Sequence, residues 1–423
     1  MPEAASLTDP ARSNRALLRH ASVRRVLGSS VCVNAGVMLQ ATALGKQVYD
    51  ITGRELDIGL LGLAEFLPAA LLVLVTGSVA DRFNRKIVGS LAVSGELICS
   101  IALALYAMSK PTAVWPLFVI AVGFGACRAF AAPSIRSIPP MVAPDGTLPR
   151  VIALYSATWT GAAIVGPAAS GFLYAVDPSL SYWASAALIV LGIWQLARVK
   201  FLRQPDPPAP DSKVTLSSAF EGLRFIRRTP ILLAAISLDL FAVLFGGAVA
   251  LLPAIAEDRL GVGDVAYGWL RAAPGIGAAL MAILLASRPV TRRIGNVLLV
   301  AVGVFGVATV FLGITTSYVV AFACLVILAG ADMVSVFIRS TLVPLVTPDD
   351  KRGRVMAVEN VFIGASNELG AFESGVAAQA FGTQAAVIGG GVATLGVVAA
   401  YSVAFPALRR VNRFEELDPD ATP

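Results

Sequence analysis

The sequence predicts an all-α membrane protein, with twelve transmembrane helices arranged as two pseudo-symmetric six-helix bundles. Three observations carry that expectation. The chain has 423 residues, 57% of them hydrophobic and only 14% charged, whereas soluble domains run near half apolar and a quarter charged. Its apolar residues fall in runs of about 20, the length that crosses a hydrocarbon core. The second half of the chain also repeats landmarks of the first at a nearly constant offset. So much apolar surface exceeds what one core can hide, and the excess needs a bilayer as a second apolar phase.

The runs lie at roughly 26–49, 58–79, 87–108, 112–134, 151–175, 181–201, 231–253, 266–286, 296–315, 319–342, 355–380 and 384–405. Helix is the only state compatible with such runs, because backbone groups in lipid must bond within their own segment. Turn signals separate several of them, as at Lys110-Pro111, Asp177-Pro178 and Thr347-Pro348-Asp349. Residues 1–25 are polar and read as an N-terminal segment without a cleavable signal peptide. Residues 26–201 then form the first bundle, 202–230 a linker, 231–405 the second bundle and 406–423 a tail. The linker opens with RQPDPPAPDSK, a stiff proline-rich stretch. In the following SSAFEGLRFIRR, Ser218 and Glu221 have capping-box spacing, and Phe220, Leu223 and Ile226 recur at helical period. This predicts a short amphipathic helix on the inner leaflet.

Lys and Arg set the orientation. With the N-terminus inside, the inner segments carry Arg12, Arg15, Arg19, Arg24 and Arg25, then Arg82, Arg85 and Lys86, then Arg150. Further inner triplets follow at Arg288/Arg292/Arg293, Lys351/Arg352/Arg354 and Arg409/Arg410/Arg413, while the outer loops hold only Arg54, Lys110 and Arg259. A multi-pass protein of a bacterial inner membrane with both termini cytoplasmic is expected. The net charge of +6 belongs to this topology pattern, so no nucleic-acid partner is expected. Cys32, Cys99, Cys127 and Cys324 lie in apolar runs without CxxC spacing and read as small buried hydrophobes. The single histidine, His20, is in the polar N-terminal segment. No Walker, metal-ligand or Ser-His-acid cluster appears, so no cofactor, metal or catalysis is expected.

The repeat is visible in IRSIPPMVAPDGTLPRVIAL from Ile135 and IRSTLVPLVTPDDKRGRVMAV from Ile338. Arg150 matches Arg354 and Gly171 matches Gly375, both 204 positions on. Pro68 matches Pro274 and Arg82 matches Arg288, both 206 positions on. An even number of spans per half gives the two copies the same orientation, a parallel repeat about an axis along the membrane normal.

Between spans two and three stands GSVADRFNRK. Gly77 permits close helix approach. Asp81 sits at a helix end, where it can face another helix N-terminus or a cation, and Arg82, Arg85 and Lys86 anchor the loop on the anionic inner face. Here the chain resembles the major facilitator superfamily, whose corresponding loop reads G-x-x-x-D-R-x-x-R-[KR], and the resemblance covers nearly the whole length. It implies secondary transport of a small-molecule substrate by alternating access, with this cluster latching the halves in the outward-facing state. GPAASG, containing Gly166, Pro167 and Gly171, resembles the glycine-proline motif associated with family antiporters. Pro167 interrupts the backbone ladder and the glycines permit tight packing. The stretch from Ser237 to Gly263 is similar to the bacterial branch of macrolide efflux proteins and the enterobactin exporter. Many members of that branch carry an acid directly after the glycine of span one; here Val37 follows Gly36, a departure from the pattern.

Ionisable groups at membrane depth cost at least about 2.5–3.5 kcal/mol each, which makes them functional candidates. They are Glu65, Glu96, Arg128, Arg136, Asp239, Arg271, Asp332, Arg339, Glu359, Glu368 and Glu373, while Lys46 lies near the outer end of span one and can snorkel. Arg136, Arg339 and Glu359, near cytoplasmic ends, are expected to form structural end networks with the loop clusters. Asp332 and Glu368, near mid-span, are the expected proton carriers, because burial favours a neutral carboxyl. Glu65, Glu96, Asp239 and Glu373 are further proton or substrate candidates. Arg128 either pairs with a mid-span acid or binds an anionic substrate. Asp332 and Arg339 share a face but stand about 10 Å apart along the axis, too far to bridge. Tyr155 and Trp159, at i and i+4, share a helical face, where they stack on a planar substrate or pack against neighbours.

The expected function is secondary active transport by a monomer: proton-coupled export of small amphipathic molecules, such as drugs or siderophore-like compounds, with membrane lipids around it. The alternative is a lipid or lysophospholipid transporter, or an uptake carrier, on the same fold. An enzyme lacks a catalytic cluster, and the retained loop motif opposes a non-transporting receptor.

Overall fold

The computed structural model describes residues 14–202 and 216–417. Among them, twelve long helices follow in order: α1 (Ala21–Thr52), α2 (Glu55–Arg82), α3 (Arg85–Met108), α4 (Trp115–Arg136), α5 (Leu148–Val176), α6 (Pro178–Ala197), α7 (Pro230–Phe245), α8 (Asp264–Ser287), α9 (Ile294–Ile314), α10 (Tyr318–Val346), α11 (Asp349–Phe381) and α12 (Thr383–Ala404). With α4 extended to Val142 and α7 to Arg259, ten are long and apolar enough to cross a membrane; α2 and α11 are the other two.

Local chemistry sets the helix ends. Gly53, at φ +58°, ends α1, its amide donating to the Tyr49 carbonyl at 2.7 Å. Asn84 starts α3 by accepting from the Lys86 amide at 3.0 Å. Asp177 starts α6 by accepting from the hydroxyl and the amide of Ser179, and these bonds hold its carboxyl below the ordinary range. A carboxyl held low contributes stability that is lost as the pH falls through its folded value.

The packing displays the repeat. In the first bundle α1 packs on α5 and α6, α3 on α4 and α6, and α2 on α4. In the second, α7 packs on α11 and α12, α9 on α10 and α12, and α8 on α10. Each pairing recurs six helices on. The bundles meet along two seams related in the same way, α5 on α8 and α2 on α11. Both seams close on glycine: a Cβ on Gly171 would stand 2.9 Å from the Gly268 Cα, and one on Gly375 would stand 3.1 Å from the Gly59 Cα. Only small residues allow backbones so near. Both contacts lie toward the end remote from the chain termini, here termed the distal end.

Three features differ from the sequence expectations. The seventh run is not one helix: after Phe245 come a 3-10 turn (Gly247–Val249), a short helix (Leu252–Ala254) and a π turn (Ile255–Arg259). Gly246 and Gly247 sit at the break, and a Cβ on Gly247 would overlap the Gly370 carbonyl of α11. The Arg271 Nη1 donates to the Val249 carbonyl at 2.9 Å, a partner for a backbone group at the broken ladder. The linker helix (Leu216–Arg228) forms, but it docks on protein: Ile226 is buried among Leu232, Ile338 and Val355, and Glu221 pairs with Arg354 at 2.5 Å. The side chain of Ser218 of the expected capping box lies outside the described residues, as does the whole proline-rich stretch 203–213. Within residues 1–25, Asn14–Arg19 is helical, α1 already begins at Ala21, and Leu17 and Val23 are buried against Ile138 and Leu196.

Gly277 of α8 lies so close to the Val326 backbone of α10 that a Cβ would overlap it, whereas a Cβ on Gly303 of α9 meets nothing within 4 Å. Gly277→Val is expected to cost about 1–3 kcal/mol through overpacking and to lower the thermal midpoint of the purified protein, while Gly303→Val leaves it near the parent value. Equal midpoints for the two variants would contradict the close α8–α10 contact.

Candidate functional site

A cavity of about 390 Å³ opens in the first bundle between α1, α3, α4 and α5. α1 supplies Ser29, Ser30 and Asn34, α3 supplies Glu96, α4 supplies Arg128 and Arg136, and α5 supplies Tyr155, Ser156, Trp159 and Thr160. Helical spacing makes these walls, since Ser30 and Asn34 are four apart, as are Tyr155 and Trp159. The α1–α5 wall is fixed by polar bonds: Ser30 and Thr158 share a hydrogen bond of 2.6 Å, and the Asn34 amide donates to the Ser30 hydroxyl at 3.0 Å. The Arg128 guanidinium stands 5.6 Å from the centre of the Trp159 ring, a cation–π distance. Glu96 is 2% exposed, and its Oε2 has no hydrogen-bond partner. Arg136, in the last turn of α4, is exposed, so the cavity reaches the end of the molecule that carries the termini.

The second bundle holds a different cluster. Arg339, 4% exposed, binds Asp239 of α7 at 2.8 Å and Glu359 of α11 at 3.4 Å. Ser335 donates to Asp239 at 3.3 Å. Asp332, one helical turn before Ser335, shares with Asp239 and Ser335 a space of about 10 Å³, too small for any substrate. Of the expected structural network, Arg339 and Glu359 do pair, with Asp239 and not a loop cluster as the third member. Arg339 and Glu359 turn inward to hold Asp239 rather than joining the loop clusters, because a buried Asp239 needs a counter-charge more than an exposed loop does. Arg136, their expected partner in such networks, lines the cavity of the first bundle. Asp332 and Arg339 do not bridge, as their spacing predicts.

The two expected proton carriers are not neighbours. Glu368 faces the α2 seam, its Oε2 2.8 Å from where a Gly62 Cβ would stand. Glu65, Glu368, Arg128 and Arg271 lie within electrostatic reach of one another. Glu373 accepts only a long bond of 3.5 Å from Ser374. Sequence reasoning also separated Cys99 from Cys127, whereas the folded chain places these free thiols side by side on α3 and α4.

Lys46 was expected to snorkel and does not. It is 8% exposed and binds Asp50 of its own helix, Glu257 at 2.8 Å and Asp264 at 3.6 Å. Around it, Tyr49 donates to Asp258, Tyr174 to Asp50 at 2.7 Å, and Tyr267 to the Thr42 carbonyl at 3.2 Å. Thr383 donates to Glu55 at 2.8 Å. Most of these contacts join one bundle to the other at the distal end, so that end is shut by a network the sequence reading did not name. Its trace in the sequence is Lys46 and Asp50 at i and i+4 in an otherwise apolar run, with Glu257, Asp258 and Asp264 after span seven.

The span-five motif serves both packings. Gly166 lies against α1, where a Cβ would stand 2.6 Å from the Met38 Cβ, and Gly171 lies against α8. In the loop motif, the Lys86 ammonium donates to the carbonyls of Ala197 at 2.6 Å and Val199 at 2.9 Å, at the end of α6. This cation at a helix C-terminus is a protein contact where a lipid contact was expected. The side chains of Gly77, Asp81 and Arg82 lie outside the described residues.

The sequence profile of the Major Facilitator Superfamily matches residues 26–366. The chain is 26% identical over 403 residues to the "Multidrug efflux pump Tap" of Mycolicibacterium fortuitum, covering 92% of this chain and 96% of that protein. It is 25% identical over 376 residues to the "Uncharacterized MFS-type transporter YfiS" of Bacillus subtilis, covering 86% and 88%. It is also 24% identical to "Macrolide efflux protein A" of Streptococcus pyogenes over 169 residues, 39% of each. Among solved structures, a POT family transporter in complex with 5-aminolevulinic acid superposes with a TM-score of 0.72 at 11% identity, covering 91% of this chain and 96% of that one. A bacterial homolog of the human lysosomal transporter Spinster, in an inward-facing and occupied conformation, gives 0.69 at 17% identity, covering 98% and 99%.

Removing one partner of a buried ion pair leaves an uncompensated charge and costs about 3–5 kcal/mol. Arg339→Met is therefore expected to lower the thermal midpoint strongly, and adding Asp239→Asn to recover part of the loss. A double variant no more stable than Arg339→Met would show that the Asp239 bridge is not what holds this cluster.

Proposed function

The chain belongs to the Major Facilitator Superfamily of membrane transporters, and from that premise we propose that it exports small amphipathic molecules in exchange for protons by alternating access. The proposal includes a bacterial inner membrane, both termini in the cytoplasm, and two bundles at 26–201 and 231–405 rocking about their seams. The asymmetry of Lys and Arg supports this orientation. On that orientation the network around Lys46 closes the outer side and the cavity faces inward.

The observation that carries the exchange reading is the division of chemistry between the bundles. One holds a cavity of about 390 Å³ with aromatic and polar walls, within the size range of small-molecule sites. The other holds Asp332 beside Asp239 in a space of about 10 Å³, room for about one water and for no substrate. With Asp332 ionised, it and Asp239 face one Arg339 already shared with Glu359; a proton on Asp332 relieves that crowding. Substrate and proton then each favour one of two states, which is all that coupling requires. A lipid substrate is the weaker reading, because Arg128, Arg136, Glu96 and Asn34 line the cavity, whereas a lipid carrier needs an apolar wall.

The test is proton movement in liposomes that carry the purified protein and an internal pH dye, with neutral and anionic planar amphipathic dyes added outside. Substrate-dependent proton flux is expected, reduced at least tenfold in Asp332→Asn and retained in Glu368→Gln. Substrate movement without proton flux, or full flux in Asp332→Asn, would overturn the coupling assignment.

A further inference from the structure

We infer that the cavity of the first bundle selects planar organic anions, with Arg128 taking the acid group and Trp159 the ring. The inference deepens the export reading and rests on it for the direction of movement, but the binding itself can be tested alone.

The charges lining the cavity are Arg128, Arg136 and Glu96. Among the lining residues the balance is positive whether or not Glu96 is ionised, which disfavours an organic cation there; Glu65 and Glu368, in reach of Arg128, stand outside the lining. The repeat sharpens the point. Arg136 and Arg339 occupy the matching IRS positions of the two halves. Arg339 is committed to Asp239 and Glu359, whereas Arg136 has no ion pair among the described residues. The same repeat position thus holds the fold together in one bundle and remains available in the other.

Arg128 is available too. Its contact is the Trp159 ring at 5.6 Å, with no ion pair among the described residues. An arginine steadied by an aromatic face keeps its N–H groups free, and those donors match an acid group bidentately. Trp159 is 41% exposed, which leaves ring surface for a flat partner. Glu96 is the one acid in the lining, and its Oε2 is buried without a partner, so it is not hydrogen-bonded to Arg128 through that atom. Ser156, Thr160 and Asn34 add neutral donors around it.

The test is equilibrium binding by calorimetry to the full chain in phosphatidylcholine nanodiscs, with empty nanodiscs subtracted. The probes are three molecules of one shape: 2-naphthoate, 2-naphthamide and 2-naphthylmethylammonium. Saturable binding of 2-naphthoate is expected, at least tenfold tighter than that of the amide or the cation. Arg128→Gln should lose at least tenfold, Arg136→Gln severalfold, and Arg128→Lys should fall between parent and Arg128→Gln. Glu96→Gln should tighten 2-naphthoate severalfold, since it removes the one negative charge facing the ligand. Because Arg128→Gln could disturb folding, Trp159→Leu provides a second route and should weaken 2-naphthoate more than it lowers the thermal midpoint. Cation binding as tight as anion binding, no saturable 2-naphthoate binding, or parent affinity in Arg128→Gln would each overturn the inference. No proton gradient is present, so anion binding with failed proton flux would sink the exchange reading alone, and cation binding as tight as anion binding with proton flux intact would sink this one alone.

Discussion

Each ionisable side chain carried to membrane depth costs several kcal/mol unless something there compensates it, and this constraint sorts the interior of the protein. Lys46 is compensated by acids from both bundles. Arg339 is compensated by two acids of its own bundle, and Arg271 by a carbonyl at the break in α7. What remains is Glu96, Arg128 and Arg136 around one cavity, Asp332 beside another, Glu65 and Glu368 near the seams, and Glu373 on α11. Full compensation marks the charges that build the fold. Incomplete compensation is the ground on which the proposed ligand and proton groups are chosen, rather than burial of an acid alone.

If the distal end opens and closes, its ionic contacts have a physical advantage over apolar ones. Two apolar faces brought together would lose stabilisation in proportion to the area exposed on opening. Ion pairs behave differently: their mutual attraction is set against the hydration each charge regains when water enters. A contact such as Lys46 with Glu257 can therefore hold the end shut while leaving the open state within a few kcal/mol. Glycine contacts at Gly171/Gly268 and Gly59/Gly375 add close fit without large apolar burial. On the proposed cycle, such contacts would keep two states near enough in energy for a ligand to shift the balance between them.

Much of this was legible in the sequence. Twelve apolar runs and a repeat offset of 204 to 206 positions were enough for the helix order and the pairing of halves, because length and spacing are all that a bilayer demands of a helix. Tyr155 and Trp159 were readable as one face, and the cavity is indeed on it. What could not be read was partnership. Lys46 looked like a snorkelling residue because its partners Glu257 and Asp264 stand more than 200 positions on. Asp239, Arg339 and Glu359 come from three helices, and no periodicity relates charges across helices. The break in α7 was hidden as well: Gly246-Gly247 in an apolar run reads as small-residue packing until the approach of Gly370 is seen. The chemistry of the loop motif divides in the same way. Lys86 was placed by its motif, but that it binds the end of α6 depends on the fold.

The two halves share one pattern, and on the proposed exchange their divergence is what would give the cycle its direction. The repeat position carrying Arg339 was absorbed into an acid-rich cluster, and the one carrying Arg136 was left in a cavity. Under the proposed exchange, proton and organic anion would occupy separate bundles, with Glu65 and Glu368 in electrostatic reach of Arg128 and Arg271 between them. Separate sites need not exclude each other sterically; their coupling is a free-energy difference between states, and it acts equally in both directions. The charge balance has an energetic consequence. Moving a monoanion outward and a proton inward transfers two charges in the sense that an inside-negative potential favours. At about 2.3 kcal/mol per charge per 100 mV, the potential alone drives such a cycle outward, even where the pH gradient is small. A cationic substrate exchanged for one proton would cancel that term, and the positive lining of the cavity is the arrangement that avoids the cancellation.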